Sequence, residues 1–410
     1  MNQDERIVIV GASLAGAKAA VALRSEGFTG SITLVGAEKH HPYERPPLSK
    51  DYLQGKAERS SVFVKPDEWY TENNVDLRLG TRATGVDATA QTVTLDSGDT
   101  LPYDKLLLAT GSSPRKLRIP GSDLDGVHYL RTLNNSETLR GELAGGGKKL
   151  VLIGSGWIGM ELAASAKTLG NDVVILERDP VPLAVALGSE LGQLFADMHA
   201  QNGVDIRPSV EVIGIVGSDG KVTAVSVAGQ ADVPADLVVI GIGAVPNIDL
   251  AVAAGLETSN GVDVSASLQT SDPHIYAAGD IANAMHPVIG QRLRSEHWQN
   301  AISTGEAAAK AMLGQEVSFD DIPYFFTDQF DLGMEYSGYA PLTKDAHLVY
   351  RGDRDKREFV VFWLTDDDRI VAGMNVNVWD VNSEVQRLIR RGTPVDPAAT
   401  ANPDIPLDSL

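Results

Sequence analysis

A short apolar run that stops at a glycine and gives way at once to a small-residue helix occurs twice in this chain, and few folds accommodate it. The first copy is Arg6-Ile-Val-Ile-Val10, then Gly11, an alanine-rich amphipathic stretch from Ala15 to Ser25 ended by Gly27, and Ser31-Ile-Thr-Leu-Val35. The second is Lys149-Leu-Val-Leu-Ile153, Gly154, a helix from about Ile158 to Thr168, Gly170, and Asp172-Val-Val-Ile-Leu176. Both read as strand, tight turn, helix, strand, the βαβ unit of a parallel sheet. Gly11 and Gly154 stand about 143 residues apart. The repeat is one of architecture, and it implies two nucleotide-binding modules in one chain.

The turns indicate what the modules hold. Gly154-Ser-Gly156-Trp-Ile-Gly159 is a full G-x-G-x-x-G between strand and helix. Its glycines permit a tight turn, close backbone approach to a pyrophosphate and tight helix–strand packing. The helix N-terminus adds free N–H groups and partial positive charge. Glu177 ends the next strand, 18 residues past Gly159, where a carboxylate meets the two hydroxyls of an adenosine ribose. A carboxylate repels a 2′-phosphate, so NADH is expected over NADPH; Arg178 beside it could meet a 2′-phosphate or cover the adenine. In the first turn, Gly11-Ala-Ser13-Leu-Ala-Gly16, serine replaces the middle glycine and permits close approach if its φ is negative. Glu38, 22 residues past Gly16, places a second ribose ligand in reach.

No cysteine occurs among the 410 residues. That removes disulfide frameworks, thiolate metal sites, Cys-held iron–sulfur clusters and catalytic thiols. Redox chemistry in this chain then needs a bound cofactor or another ligand type. Acidic residues number 55 against 35 basic, a net charge of -20, which argues against non-specific binding to nucleic acid or anionic membranes. The opening residues lack the pattern of a signal peptide and no apolar run reaches the ~18 residues of a membrane span, so a cytoplasmic protein is expected. The eight histidines show no metal-ligand spacing, and no metal is expected.

Between and after the modules come strand-like runs: Thr92 to Leu95, Lys105 to Leu108, Lys221 to Val227 and Leu237 to Ile240. From about Phe319 the texture changes: aromatics concentrate, Glu358-Phe-Val-Val-Phe-Trp363 reads as strand, and Val381 to Arg391 as helix. This is a separate C-terminal domain of α+β type. The Pro- and Asp-rich tail from Pro394 to Leu410 is expected to lie on the surface or fray.

Further segments fit together in order: Pro42-Tyr-Glu-Arg45-Pro-Pro-Leu-Ser-Lys50, Ala109-Thr-Gly111, Gly241-Ile-Gly-Ala-Val-Pro-Asn247, Thr270 to Asp280 as a strand ending in Gly279 and Asp280, and Arg294-Ser-Glu-His-Trp298-Gln-Asn-Ala301. With both glycine turns they resemble the FAD-dependent pyridine nucleotide reductases, and within them the ferredoxin reductases that serve cytochrome P450 and aromatic-ring oxygenase systems. The resemblance covers essentially the whole chain. It implies an α/β fold of two Rossmann-like domains, for FAD and NAD, plus a C-terminal α+β domain. The FAD domain would comprise residues 1–111 and 242–318, the NAD domain 112–241 and the C-terminal domain 319–410. For FAD it implies Gly11, Ser13, Leu14, Ala15 and Gly16 at the pyrophosphate turn and Glu38 near the ribose. It adds Ala83 at the adenine, Ala109, Thr110, Gly111, Arg45 and Arg131 along the dinucleotide, Gly279 and Asp280 at the ribityl chain by another helix N-terminus, and His297 and Trp298 at the far edge of the ring system. Asp280 could instead be only an N-cap, and Trp298 only core packing. For NAD it implies Gly154, Gly156, Trp157, Ile158, Gly159, Glu161, Glu177, Arg178 and Gly243.

Lys50 follows two prolines and is expected in the first turn of a helix, where a cation opposes the helix dipole; that misfit favours a ligand-facing role. By resemblance Lys50 points at flavin N5 and Glu161 faces it, balancing charge during flavin reduction. The bland alternative is an ordinary surface pair. Trp157 would either stack on the flavin and swing aside for nicotinamide, or fill the helix–sheet contact. The implied activity takes hydride from NADH to FAD N5 and passes single electrons to a two-iron two-sulfur ferredoxin. Without cysteine, the thiol-relay branches of these reductases are closed. Docking of an acidic ferredoxin needs local basic clusters; Arg387, Arg390 and Arg391, or Arg292 and Arg294, are candidates, each equally readable as a solvated face. Rubredoxin reductase, NADH oxidase, and a redox-sensing FAD- and NADH-binding interaction protein are the competing readings. The chain could act as monomer or homodimer.

Overall fold

The computed structural model describes residues 4–410. Contacts divide the chain into two compact units, each discontinuous in sequence. The first contains residues up to Glu44, Arg59–Ser113 and Val245–Pro323; the second contains Arg45–Glu58, Pro114–Ala244 and Tyr324–Leu410.

The first unit is built on a five-stranded parallel sheet. Arg6–Val10 lies at its centre, flanked by Ser31–Gly36 and then Val75–Leu79 on one side, and by Lys105–Leu108 and then Ile275–Ala277 on the other. The central strand is buried on both faces, which is why it reads as an unbroken apolar run. Leu14–Ser25 packs closely on Trp298–Met312. Small residues allow it: a Cβ on Gly305 would stand 2.4 Å from the Ala15 carbonyl oxygen. The strand expected to run from Thr270 to Asp280 is only Ile275–Ala277, because Thr270, Ser271 and Asp272 are spent on a turn in which Asp272 N–H donates to Thr270 Oγ1. Gly279–Ile281 is a short 3₁₀ turn followed by the strand Ala282–His286. The helix that Asp280 was expected to cap is therefore absent, and Asp280 cannot be its N-cap.

The second unit repeats the parallel sheet, with Lys149–Ile153 at its centre. Asp172–Leu176 and Asp205–Arg207 follow on one side, Leu237–Ile240 and Val127–His128 on the other. Its glycine turn leads into the helix Trp157–Thr168. The same unit holds a five-stranded sheet from the C-terminal part, ordered Tyr324–Gln329, Leu332–Gly338, Ile370–Val376, Glu358–Leu364, His347–Asp353 and antiparallel throughout. Glu358–Leu364 is buried after its first residue and Asn382–Arg391 is a helix. The fold is mixed α/β, with two Rossmann-type parallel sheets and a C-terminal antiparallel sheet.

The tail does not fray. Arg351 donates to the carbonyls of Asn402, Pro403 and Ile405, Arg387 donates to Leu407, and Thr400 is fully buried. Among the described residues no helix is long and apolar enough to cross a membrane.

Candidate active site

Each glycine turn is a place where a side chain cannot go. Gly11 has φ +125°, and a Cβ there would lie 2.0 Å from the Ala109 carbonyl oxygen; one on Gly16 would lie 2.1 Å from the Gly11 oxygen. In the second unit a Cβ on Gly154 would meet the Gly241 oxygen at 2.4 Å, and one on Gly159 the Gly154 oxygen at 2.7 Å. These four glycines pull helix onto strand. Gly156 differs: a Cβ there would stand in open space, as close approach of a ligand requires. Ser13, its counterpart, has φ −119° and is extended, the negative φ that lets a serine serve there.

Neither helix closes its own N-terminus. Ser13 and Gly156 occupy the N-cap positions without a side-chain capping bond, and neither first turn holds a carboxylate. Both turns thus offer first-turn N–H groups without a side-chain cap and a positive dipole end, which fits an anionic pyrophosphate at each.

Carboxylates stand where the motifs place them. Glu177 accepts from Ser155 N–H at 2.7 Å and Ser155 Oγ at 2.5 Å with one oxygen, and from Asp179 N–H at 2.9 Å with the other. Ser155 therefore ties the end of the second strand to the glycine turn. Arg178 is mostly exposed, with a 3.9 Å approach to Asp179. Ile158 and Gly243 are exposed near the same turn. In the first unit, buried Tyr43 donates to Glu38 at 2.7 Å. Thr110 Oγ1 donates to the Asn247 carbonyl at 2.6 Å, and the Asn247 amide returns a bond to Thr110. Ser112 Oγ donates to buried Asp280 at 2.6 Å. Ala83 opens the strand Ala83–Asp87. His297 is the N-cap residue of the helix that Trp298 begins. Burial pushes the His297 imidazole down to about 4 against the opposing pull of Asp280, so it is neutral at pH 7.

The residues expected at FAD divide between the units. Gly11, Ser13, Leu14, Ala15, Gly16, Glu38, Ala83, Ala109, Thr110, Gly111, Gly279, Asp280, His297 and Trp298 lie in the first; Arg45, Lys50 and Arg131 lie in the second. There Arg45 donates to the Arg131 carbonyl at 2.5 Å.

Lys50 and Glu161 meet. Lys50 Nζ is 2.7 Å from Glu161 Oε1, with side chains 14% and 7% exposed. This is a buried ion pair, not a solvated surface one. Glu161 also accepts from Ser49 Oγ at 2.5 Å and Thr327 Oγ1 at 2.7 Å. Lys50 is not in a first helical turn: Pro46–Ser49 forms a four-residue 3₁₀ turn and Lys50 is its C-cap. A cation there suits the dipole, so the expected misfit is absent, and Glu161, the Pro46 carbonyl and the Phe326 ring hold the ammonium. Ser49 and Thr327 escape motif reading. Thr327 and Gln329 do leave a trace, as polar residues at the two buried, alternating positions of the aromatic strand Tyr324–Gln329.

Trp157 makes an edge contact with Phe195 at 5.8 Å and a tilted contact with Phe325 at 4.8 Å, the geometry of packing. Arg292 donates to the Val264 and Asn283 carbonyls, and Arg294 donates to the Asp280 carbonyl and pairs with Glu296. Arg387 pairs with Glu384, and Arg391 donates to the Leu410 carbonyl. These four arginines are hydrogen-bonded within their own fold, and Arg390 and Arg391 are exposed. Among the described residues no group of three metal-ligating side chains could hold a metal ion.

Two parallel sheets, each opening its helix on an uncapped glycine turn with a carboxylate after the second strand, define a two-dinucleotide oxidoreductase. The chain belongs to the pyridine nucleotide-disulphide oxidoreductase family, whose model matches residues 5–305; a reductase C-terminal model matches residues 324–410. It is similar to rhodocoxin reductase of Rhodococcus erythropolis, 37% identical over 98% of this chain and 93% of that protein. It is equally similar, 37% identical over 98% of each chain, to the ferredoxin–NAD(+) reductase component of the anthranilate 1,2-dioxygenase system of Burkholderia cepacia. Among solved structures it matches the covalent putidaredoxin reductase–putidaredoxin complex with a TM-score of 0.94, 35% identity, and coverage of 100% of this chain and 98% of that one. The chain is an NAD(P)H-dependent oxidoreductase of a family dependent on FAD and NAD(H).

Proposed function

We propose that this chain is an NADH-dependent ferredoxin reductase whose acceptor is a two-iron two-sulfur ferredoxin feeding a cytochrome P450 or a ring-hydroxylating oxygenase. Bound FAD would supply the redox chemistry, accepting one hydride (two electrons and a proton) at N5 and releasing the electrons one at a time. The chain's own residues bind, orient and balance charge. Residues 1–111 and 242–318 hold FAD, 112–241 hold NADH, and 319–410 form the C-terminal domain. The turn Gly11 to Gly16 offers N–H groups to the FAD pyrophosphate, and Glu38, steadied by Tyr43, takes the ribose. The turn Gly154 to Gly159 does the same for NADH, with Glu177 on its ribose. Asp280 accepts from the ribityl chain while Ser112 holds it. Lys50, paired with Glu161, faces N5 and offsets negative charge there.

The observation that carries this reading is the zero count of cysteine in a chain with both dinucleotide folds: no thiol relay is available, so electrons pass from the flavin to an outside carrier. Purified protein mixed with NADH and two-iron two-sulfur ferredoxins should reduce cytochrome c in a ferredoxin-dependent way. Turnover with oxygen alone, or with rubredoxin and no ferredoxin, would defeat the proposal. So would fast reduction by NADH without multiple turnover on any carrier.

A further inference from the structure

Four buried polar side chains of the second unit form one hydrogen-bonded line that ends on Glu161. His199 Nε2 lies 2.8 Å from Gln329 Oε1, Gln329 Nε2 donates to Thr327 Oγ1 at 3.1 Å, and Thr327 Oγ1 donates to Glu161 Oε1 at 2.7 Å. His199 and Thr327 are fully buried, and Gln329 and Glu161 nearly so. They come from three separate segments: the helix Ala184–Gln201, the strand Tyr324–Gln329 and the helix Trp157–Thr168.

The direction of every bond follows from the carboxylate outward. An ionised Glu161 can only accept. Ser49, Lys50 and Thr327 must therefore all donate to it. With its proton committed, Thr327 Oγ1 must accept from the Gln329 amide N–H. That turns Gln329 Oε1 toward His199, so His199 Nε2 must carry the ring proton. The other ring nitrogen, Nδ1, is buried and has no hydrogen-bond partner among the described residues. Moving the proton to Nδ1, or adding a second one there, would leave a buried N–H unsatisfied. Burial accordingly pushes His199 down to about 4. Asp328 and Asp51 are the other charges at this site, and burial raises the Asp328 carboxyl while Lys50 opposes the shift. Reversing the line would need a protonated Glu161, a turned Gln329 amide and the disfavoured His199 tautomer together.

We propose that His199, acting through Gln329 and Thr327, is a positioning residue that locks Glu161 as the ionised partner of Lys50 and thereby sets the reduction potential of the bound flavin. The proposal rests on the reading that Lys50 and Glu161 face N5.

Two measurements test it. In 15N-histidine spectra of the FAD-loaded protein, with His199 assigned by its loss in His199→Gln, His199 should be the neutral Nε2–H tautomer at pH 7. An Nδ1–H tautomer or an imidazolium would overturn the proposal whatever the variants do. Spectroelectrochemistry then compares Thr327→Val, Thr327→Ser and Gln329→Met, the last similar in size, uncharged and without a hydrogen-bond donor. Thr327→Val and Gln329→Met should loosen Glu161, leave Lys50 less neutralised and favour the reduced flavin. The equilibrium constant for reduction should rise about ten-fold, about 30 mV toward positive potential, and Thr327→Ser should keep the parent value. Unchanged potential in Gln329→Met, or in Thr327→Val where it folds, overturns the relay. If Lys50→Met shifts the potential while those variants do not, the relay alone fails; if Lys50→Met does nothing, the flavin-facing reading fails with it.

Discussion

At the scale of single residues, the site depends on side chains held by neighbours that carry no motif. Lys50 neutralises a carboxylate that is 6% exposed, so Lys50→Met leaves Glu161 buried and unpaired. The expected results are lower stability and a roughly ten-fold or greater loss in the rate of flavin reduction by NADH, followed by stopped flow. An unchanged rate would refute a role at N5. Ser155 donates two hydrogen bonds to the Glu177 carboxylate and Asp179 N–H donates a third. Its backbone bond survives Ser155→Ala while the hydroxyl bond is lost. The NADH KM should rise up to about ten-fold with kcat nearly kept, and kcat/KM should remain far higher for NADH than for NADPH. A preference for NADPH would show that Arg178, not Glu177, sets the choice.

At the scale of elements, Trp157 shows how a motif position can serve packing. Its ring meets Phe195 and Phe325, joining the glycine-turn helix to the C-terminal sheet. Trp157→Ala should cost about 2–4 kcal/mol in urea unfolding and leave the hydride rate within a few-fold. A large change in hydride rate at unchanged stability would favour gating instead. The same elements show what local sequence can encode. Arg6–Val10, Lys149–Ile153, Asp172–Leu176 and Lys221–Val227 have the bounds their apolar patterns predict, because burial on one face or both is written into each residue of a strand. The glycine turns were legible because a positive φ or a backbone contact near 2 Å admits no other residue. Ser49, Thr327, Gln329 and His199 were not legible as a group, since nothing in their own segments records which distant polar atom each will meet. Lys50 was misread locally because two consecutive prolines make a four-residue 3₁₀ turn rather than a helix. The tail lies on the surface, as its composition suggests, but its sequence does not show what ties it down, because Arg351 and Arg387 lie outside it.

At the scale of the whole molecule, buried neutral histidine makes folding sensitive to acid. His199 sits at about 4 in the folded protein against 6.5 for an ordinary imidazole. Its contribution is intact above pH 6.5, where both states are neutral. It is lost as pH falls toward 4, where only the unfolded chain takes the proton. The loss amounts to about 3 kcal/mol. Urea unfolding at pH 7, 5.5 and 4.5 should show this decline, and His199→Gln should flatten it. An identical pH slope in that variant would mean that His199 contributes nothing and that His297 and the carboxylates govern acid stability.

The helices that open on Gly156 and Ser13 start without a side-chain cap. Most proteins close such ends with their own atoms, for about 1 kcal/mol each. In the proposed reading these ends are left to the ligands, which makes each dinucleotide part of the scaffold as well as of the chemistry. Removing FAD should lower the melting temperature, and adding NADH back should raise it in proportion to the logarithm of its concentration. A melting curve is thus a binding assay for every substitution at these turns, including those that abolish turnover.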